Sequence, residues 1–379
     1  MTSVRCMTFA AGLCCSMIAS IATVQASENQ PRSPVAASQT NTVPPSPGPE
    51  RLELGAAVDS EDGLIGSAYI GKNNLIPGVF TFAKFRYARE TQRGQAGLFK
   101  PHALGRHIDA GVDFDYRRDA YDDQGFRATT FGIEPYLQFD TRHWGVVTTG
   151  LGYRVQTVDD LAADAPASFR RDEGTRSGLY AHVAYTLDNF VATKHLTLSA
   201  GIDNHAWNLG SGSDAVWQTE AWTRAKVALV PDDLSLLNIV RVGYMRGLGG
   251  ESPSVADRFF IGGADLRGFQ ARHVGPRDGN YFAGGERYAT ASFDLIKKMG
   301  AVLGSPVSLS VFVDAGSLWG GDWQPDTASD THAVARVSAG VAVTFSIAGV
   351  PVSAYVAKPV KKEPQDVEQN FGMAISMRF

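Results

Sequence analysis

The chain has 379 residues, of which 44% are hydrophobic, and a formal net charge of -4. This charge argues against nucleic acid as a partner, because binding to a phosphate backbone needs an excess of lysine and arginine. The length leaves room for one sizeable folded domain after a targeting segment.

The start of the chain has the features of a secretory signal peptide over residues 1–26. Arg5 supplies a positive charge, an apolar stretch runs from Met7 to Val24, and a small-residue cleavage site ends at Ala26. The apolar stretch is too short, and too soon followed by polar chain, to span a membrane as a helix. We expect cleavage after Ala26, with a retained anchor as the alternative.

The three cysteines, Cys6, Cys14 and Cys15, all lie inside the predicted signal peptide. The mature chain is therefore expected to have no disulfide, thiolate metal site or cysteine nucleophile. Residues 27–50 are dense in Pro, Ser, Asn and Thr, and proline fixes its own φ and lacks an N–H donor. We predict a disordered periplasmic tail there and a single domain over residues 51–379.

Alternation of apolar with polar or small side chains recurs along that domain. It is clear in residues 108–116, 179–188, 196–203, 307–314 and 371–379. In a strand the two sets face opposite sides. Segments of about ten residues with this period, separated by turn residues, are typical of barrels in the bacterial outer membrane. The predicted fold class is all-β, a single antiparallel transmembrane β-barrel of a Gram-negative cell.

The pattern predicts sixteen strands, an even number as expected for a bacterial single-chain barrel. They begin near Leu52, Leu64, Val79, Arg93, Arg106, Arg127, Trp144, Arg176, Leu196, Val216, Leu237, Arg287, Pro306, Ala333, Val350 and Gln369. Connections on one side are short, whereas those on the other include residues 157–174 and 249–285. The strand near Arg93 has the weakest pattern, so fourteen strands is the alternative.

An uncharged stretch between Arg336 and Lys358 is long enough to cross a bilayer as one helix. Pro351, two glycines and many β-branched residues are poor helix formers. We therefore predict two strands joined by a turn at residues 346–349.

The most specific motifs lie in and after the longest connection. The sequence reads RFFIGGADLRGF over residues 258–269, VGPRDG over 274–279 and VFVDAGSLW over 311–319. Leu266-Arg267-Gly268-Phe269 resembles the signature at the tip of the sixth outer loop in the BamA/TamA superfamily, the bacterial surface antigen family of outer-membrane assembly factors. The resemblance covers residues 51–379 in strand layout and reaches motif level from Arg258 onward.

The resemblance implies that the sixth loop folds into the barrel lumen. Its arginine would pair with carboxylates on the next two strands, at the positions of Asp294 and Asp314. Both aspartates lie on the polar phase of their strands, and the fork of arginine donors suits two carboxylates. The alternative is that Arg267 is a solvated loop residue and the aspartates are ordinary lumen side chains.

The resemblance also implies a function in outer-membrane protein assembly, insertion or translocation. It implies contact with outer-membrane lipids and lipopolysaccharide, and with unfolded outer-membrane protein clients or a periplasmic partner. The terminal strand, with Phe371 and Phe379, would be the signal read by the barrel-assembly machine for insertion of the protein itself. We expect the tail in place of periplasmic substrate-capture modules, so a passive pore or structural barrel is the alternative.

Catalysis has little support in the sequence. We find no nucleophile-elbow serine, no His-Glu-x-x-His, no phosphate-binding loop and no metal-ligand spacing, so no enzyme activity, cofactor or metal is expected. The remote alternative is an outer-membrane lipid hydrolase using His205 with Ser211 or Ser213. These serines lie in a Gly/Ser-rich loop, residues 209–214, which is the simpler interpretation.

Overall fold

The computed structural model describes residues 50–120, 123–141, 144–210, 214–302, 305–321, 332–347 and 350–378. The predicted signal peptide, the predicted tail up to residue 49, and Phe379 lie outside these residues, so those three interpretations stay predictions. Within the described part of the chain, no helix has the length and apolar character to cross a membrane.

Regular structure in the described residues is almost entirely extended. The α-helix α1 is Ala167–Asp172, and the strands are β1 Arg51–Asp59, β2 Gly63–Ile76, β3 Val79–Tyr87, β4 Thr91–Lys100, β5 Ile108–Asp119, β6 Arg127–Asp140, β7 Val146–Asp159, β8 Gly174–Ala192, β9 Leu196–Leu209, β10 Val216–Val230, β11 Leu234–Gly247, β12 Gly268–Phe269, β13 Arg277–Asp278, β14 Tyr281–Phe282, β15 Arg287–Val302, β16 Ser305–Trp319, β17 Arg336–Ile347, β18 Val350–Lys361, β19 Glu368–Gln369 and β20 Phe371–Arg378.

The long strands close into one antiparallel barrel. Its order is β1 to β11, then β15 to β18, then β20, which returns to β1. The prediction of a sixteen-stranded barrel is confirmed, and the weakly patterned strand near Arg93 is β4. The uncharged stretch after Arg336 forms β17 and β18, as predicted. The short strands are not part of the barrel wall and form two separate pairs, β12 with β19 and β13 with β14.

The strand alternation sorts side chains between lumen and lipid. In β16, Phe312 and Asp314 are each 1% exposed, whereas Val311 and Val313 are 55% and 44% exposed. Because neighbouring residues of a strand face opposite sides, the buried set points into the barrel and the exposed apolar set faces outward. An outer surface with so many apolar side chains is stable in contact with a lipid bilayer.

Closure of the barrel depends on a short ladder at the last strand. Residues 55–59 of β1 align with residues 374–378 of β20, and β20 aligns with β18 over residues 371–375. By contrast, β10 and β11 are paired along almost their whole lengths. The seam between the first and last strands therefore has fewer ladder hydrogen bonds than the wall opposite.

The closed ladder predicts a heat-modifiable protein. Because nearly all backbone groups of the ring are paired in the chain itself, detergent should not unfold the barrel until the sample is boiled. We expect unboiled protein to migrate differently from boiled protein on a semi-native gel, with mainly β-type circular dichroism. Equal migration together with a helical spectrum would contradict the fold.

Candidate functional site

The connection between β11 and β15, residues 249–285 and here called loop six, packs its tip against the inner wall. Leu266 and Phe269 are fully buried. They belong to one apolar cluster whose other members are Trp207, Val216, Met245, Phe259, Ile261, Val274, Tyr288 and Leu318. These residues come from loop six and from five barrel strands or their ends, so burial of the tip depends on the closed barrel.

Gly268 lets the tip come close to β17 and β18. Its φ is 96°, in the left-handed region that glycine tolerates. A Cβ there would lie 3.1 Å from the Cβ of Ser338 and 3.4 Å from that of Ala357. The Ser338 hydroxyl donates a hydrogen bond to the Arg267 carbonyl oxygen. A larger residue at 268 would push the tip away from the wall.

Arg267 contacts Asp314 with three donors. Its Nε and its backbone N–H donate to Oδ2 at 2.7 and 3.1 Å, and its Nη2 donates to Oδ1 at 2.7 Å. The two side chains are 4% and 1% exposed. This parallel pair of side-chain contacts is the bidentate arrangement that guanidinium and carboxylate geometry favours.

The other side of the guanidinium meets Asp294 and an aromatic ring. Nη1 and Nη2 donate to the two Asp294 carboxylate oxygens at 2.9 and 3.1 Å. The guanidinium carbon lies 3.4 Å from the centre of the Phe312 ring. The structure thus brings Arg267 onto both aspartates, and it does not place Arg267 in solvent as the alternative supposed. We call Arg267, Asp294 and Asp314 the latch.

Further polar contacts hold loop six, and none of them was anticipated from the sequence. Asp257 accepts hydrogen bonds from Arg154 Nη2 at 2.7 Å, Gln156 Nε2 at 2.9 Å and Trp207 Nε1 at 3.2 Å, and Asp265 pairs with Arg241. Arg154 on β7 and Arg241 on β11 border the lumen cavity, as alternation along those strands would indicate. Their partners in an irregular loop had no comparable signal.

An outer layer covers loop six from the β7–β8 connection. Ser168 in α1 donates to Asp278 at 2.5 Å, and Asp172 accepts from the Val255 backbone N–H at 2.7 Å. Phe169, Phe126 and further apolar residues pack beside these contacts. Loop six is therefore fixed on two sides, by the barrel wall and by a neighbouring connection.

The lumen retains a cavity of about 1180 Å³ beside loop six. Its wall carries both signs of charge, including Asp113, Asp115 and Glu134 with Lys84 and Arg154. His205, named above for a hydrolase, lies on this wall next to Tyr180 and Asp203. Its proposed partners Ser211 and Ser213 lie outside the described residues.

A pH-sensitive contact lies at the outer end of loop six. His273 Nε2 is 2.9 Å from Asp123 Oδ2. Burial is the largest single effect and lowers the pKa of His273, but the hydrogen bond and charge of Asp123 together with the Ala271 carbonyl outweigh it, so the net pKa lies above the ordinary histidine value. The folded protein therefore holds the His273 proton more tightly than the unfolded chain does. The contact stabilises the fold fully at pH values below the ordinary histidine pKa, and this stabilisation is lost as pH rises through the raised pKa of the folded state.

We expect trypsin to cleave after Arg272 faster as pH rises from about 6 to 9, because the contact between His273 and Asp123 weakens. The control is His273→Gln, in which residue 273 does not titrate. The ratio of the two cleavage rates removes the pH dependence of trypsin itself. A ratio that is constant across the range would show that this pair does not hold the loop.

The closed barrel with an apolar outer face defines the protein as an integral barrel of the bacterial outer membrane. Residues 71–379 match the family model for the Omp85 superfamily domain, so the chain belongs to the Omp85 superfamily. The resemblance to BamA-type barrels noted in the motifs around Arg267 is thereby confirmed at the level of the family.

Individual relatives agree with this assignment. The chain is 24% identical over 392 residues to the outer membrane protein assembly factor BamA of Neisseria meningitidis, covering 86% of this chain and 47% of the relative. It is 29% identical over 168 residues to a SAM50-like protein of Schizosaccharomyces pombe, covering 42% and 35%. The chain thus spans about half the length, or less, of these relatives.

Solved structures show the same fold. BamA from Haemophilus ducreyi lacking POTRA domains 1–3 aligns with a TM-score of 0.73 at 20% identity, over 87% of this chain and 70% of that one. CdiB from Escherichia coli aligns with a TM-score of 0.59 at 12% identity, over 89% and 64%. The relatives named BamA are described as outer-membrane assembly factors, which agrees with the expectation of a non-enzymatic role.

Proposed function

We propose that this protein assists the insertion or translocation of other proteins at the outer membrane. Its relatives include outer-membrane assembly factors, and the fold places it in the same membrane. The observation that carries the proposal is the short seam, where residues 55–59 and 374–378 are the aligned ones within the described part of the chain. A ladder hydrogen bond contributes roughly 1 kcal/mol net, so a short ladder opens at lower cost than a full one.

An open seam would present an unpaired strand edge. Such an edge pairs readily with an extended segment of another chain. Unfolded outer-membrane protein clients have strands of the required alternation, so the edge of β1 is the proposed place where a client strand adds. The growing client sheet would move into the surrounding lipid and lipopolysaccharide. A periplasmic partner would deliver the unfolded client to this protein.

Loop six is linked directly to the segment before the last strand. Its β12 pairs with β19, Gln270 N–H donates to the Val367 carbonyl at 2.9 Å, and Val367 N–H donates to the His273 carbonyl at 3.3 Å. Next to this segment, Asp366 accepts from Arg336 Nε at 3.0 Å in a fully buried pair. We propose that the latch, by holding the tip of loop six, helps to position the start of β20 and supports function in this way.

Depletion of the protein, followed by a quantitative survey of outer-membrane barrels, tests the proposal. We expect folded levels of several unrelated barrels to fall together and to recover when the wild-type gene is restored. If only this protein disappears while solute permeability changes, it is a passive pore and the proposal is wrong. Because loop six fills part of the lumen, we expect a fall in the levels of other barrels and not the behaviour of a passive pore.

A further inference from the structure

Two histidines lie side by side on the inner wall, away from the latch. His182 on β8 is the register partner of His205 on β9. Their rings are nearly parallel, with centroids 4.6 Å apart and an interplanar angle of 4°. Asp203 is two residues before His205 on the same inward phase. The three residues border the lumen cavity.

Both histidines turn the same ring nitrogen toward one carboxylate oxygen. His182 Nε2 is 3.1 Å and His205 Nε2 is 2.8 Å from Asp203 Oδ1. One ligand atom from each residue can be chosen so that all three lie within 4.8 Å of one another. Two imidazoles and a carboxylate gathered at this spacing are a donor set that zinc prefers.

The other nitrogen of each ring is held by a separate residue. His182 Nδ1 is 2.8 Å from Glu134 Oε1, and His205 Nδ1 is 2.5 Å from the Tyr180 hydroxyl. Metal-binding histidines nearly always have their second nitrogen fixed in this way, which sets the ring orientation and leaves the first nitrogen with its lone pair. The surroundings thus prepare both Nε2 atoms as ligands.

Negative charge beside the rings also favours a cation at this point. Asp203 and Glu134 each lie within 3.1 Å of a ring nitrogen of His182, which is only 4% exposed. A metal ion between the two Nε2 atoms and Asp203 Oδ1 would accept a lone pair from each of the three groups and would offset the charge of the buried carboxylates.

Glu134 reaches His182 only because the strand between them carries a glycine. Glu134 is on β6 and His182 on β8, and Gly150 of β7 is the register partner of His182. A Cβ on Gly150 would lie 1.8 Å from Glu134 Oε1. The path of the glutamate side chain across β7 is therefore built into the sequence.

We propose that His182, His205 and Asp203 bind one zinc ion in the lumen, with Glu134 and Tyr180 as positioning residues for the two histidines. Three protein ligands would leave a coordination position for water from the cavity. Because a metal lies in the plane of each imidazole that binds it, one of the two parallel rings must turn about its side-chain bonds to form zinc–ligand bonds of about 2.0–2.2 Å. The site would tie the inner faces of β6, β8 and β9 together independently of the latch.

Zinc titration of the folded, detergent-solubilised protein tests this site. The protein is stripped of metal, and zinc alone is added against a chromophoric chelator. We expect one zinc per chain, with affinity at least ten-fold weaker in His182→Ala and in His205→Ala. Glu134→Gln should bind with the same stoichiometry but roughly 10–100-fold more weakly, as expected for a residue that orients a ligand. His195→Ala, in the exposed β8–β9 turn, is the matched control and should bind like wild type.

Cobalt substitution gives a second readout that needs no variant. Cobalt in a site with two imidazoles should give the intense visible absorption of low-coordinate Co²⁺, and zinc should displace it. Wild-type protein that binds zinc no better than His182→Ala, or that gives no such cobalt spectrum, overturns the proposal. If the alanine variants fail the heat-modifiability test for folding, the cobalt spectrum of the wild type alone decides the question.

Discussion

Replacing Arg267 with alanine should release loop six from the lumen. The substitution leaves Asp314 buried without its cation, and breaking one side of a buried pair costs roughly 3–5 kcal/mol. The lumen contains a water-accessible cavity, which favours the lower end of that range. We expect higher ion conductance in planar bilayers and faster cleavage of the loop by added protease.

Two comparisons make this result specific to the latch. Asp314→Ala should have nearly the same effect as Arg267→Ala, and the double variant should add little because both changes remove one interaction. Arg224→Ala is the control, since Arg224 lies on the inward phase of β10 and has no ion pair among the described residues. Wild-type conductance and protease resistance in Arg267→Ala would show that the latch does not hold loop six.

Locking the seam with a disulfide should abolish function while leaving the barrel intact. Ala57 and Ser376 are aligned across β1 and β20. Paired strands place such residues at a Cα separation that a disulfide tolerates. With Ala57→Cys and Ser376→Cys, we expect oxidised cells to lose assembly of other barrels and to regain it on addition of a reductant.

A disulfide elsewhere in the wall is the matched control. Ala221 and Val242 are aligned across β10 and β11, which are paired along nearly their whole lengths. Cysteines at these two positions should cross-link without any loss of function. Full activity of the oxidised seam variant would mean that clients do not pass between β1 and β20.

The strands were predictable because their signal is local. Alternation along ten residues indicates which side chains face the lumen, and a strand is present even at β4, where the pattern is weakest. Boundaries were less certain, as β11 begins at Leu234 and not near Leu237. The predicted last strand began near Gln369, but Glu368 and Gln369 form β19 and pair with loop six, so β20 begins at Phe371.

The latch was predictable for a different reason. The Leu-Arg-Gly-Phe motif resembles a known family signature, and strand phase alone turns Asp294 and Asp314 inward. Contacts such as Asp257 with Arg154 depend on how an irregular loop enters the lumen. The histidine pair depends on the register of β8 against β9, which brings together residues more than twenty positions apart in sequence. Neither arrangement leaves a local pattern in the sequence. The shared inward phase of Asp203 and His205 indicates only that these two residues lie on the same inner wall.

The most direct test of the proposed function is folding of a client by the purified protein. The client is a small eight-stranded outer-membrane barrel diluted from urea into liposomes, with or without this protein in the bilayer, and its folding is followed by heat-modifiability on gels. We predict faster folding with the wild type, and no acceleration with the oxidised Ala57→Cys/Ser376→Cys variant until a reductant is added. Equal folding rates in empty liposomes and in liposomes containing the wild type would contradict the account.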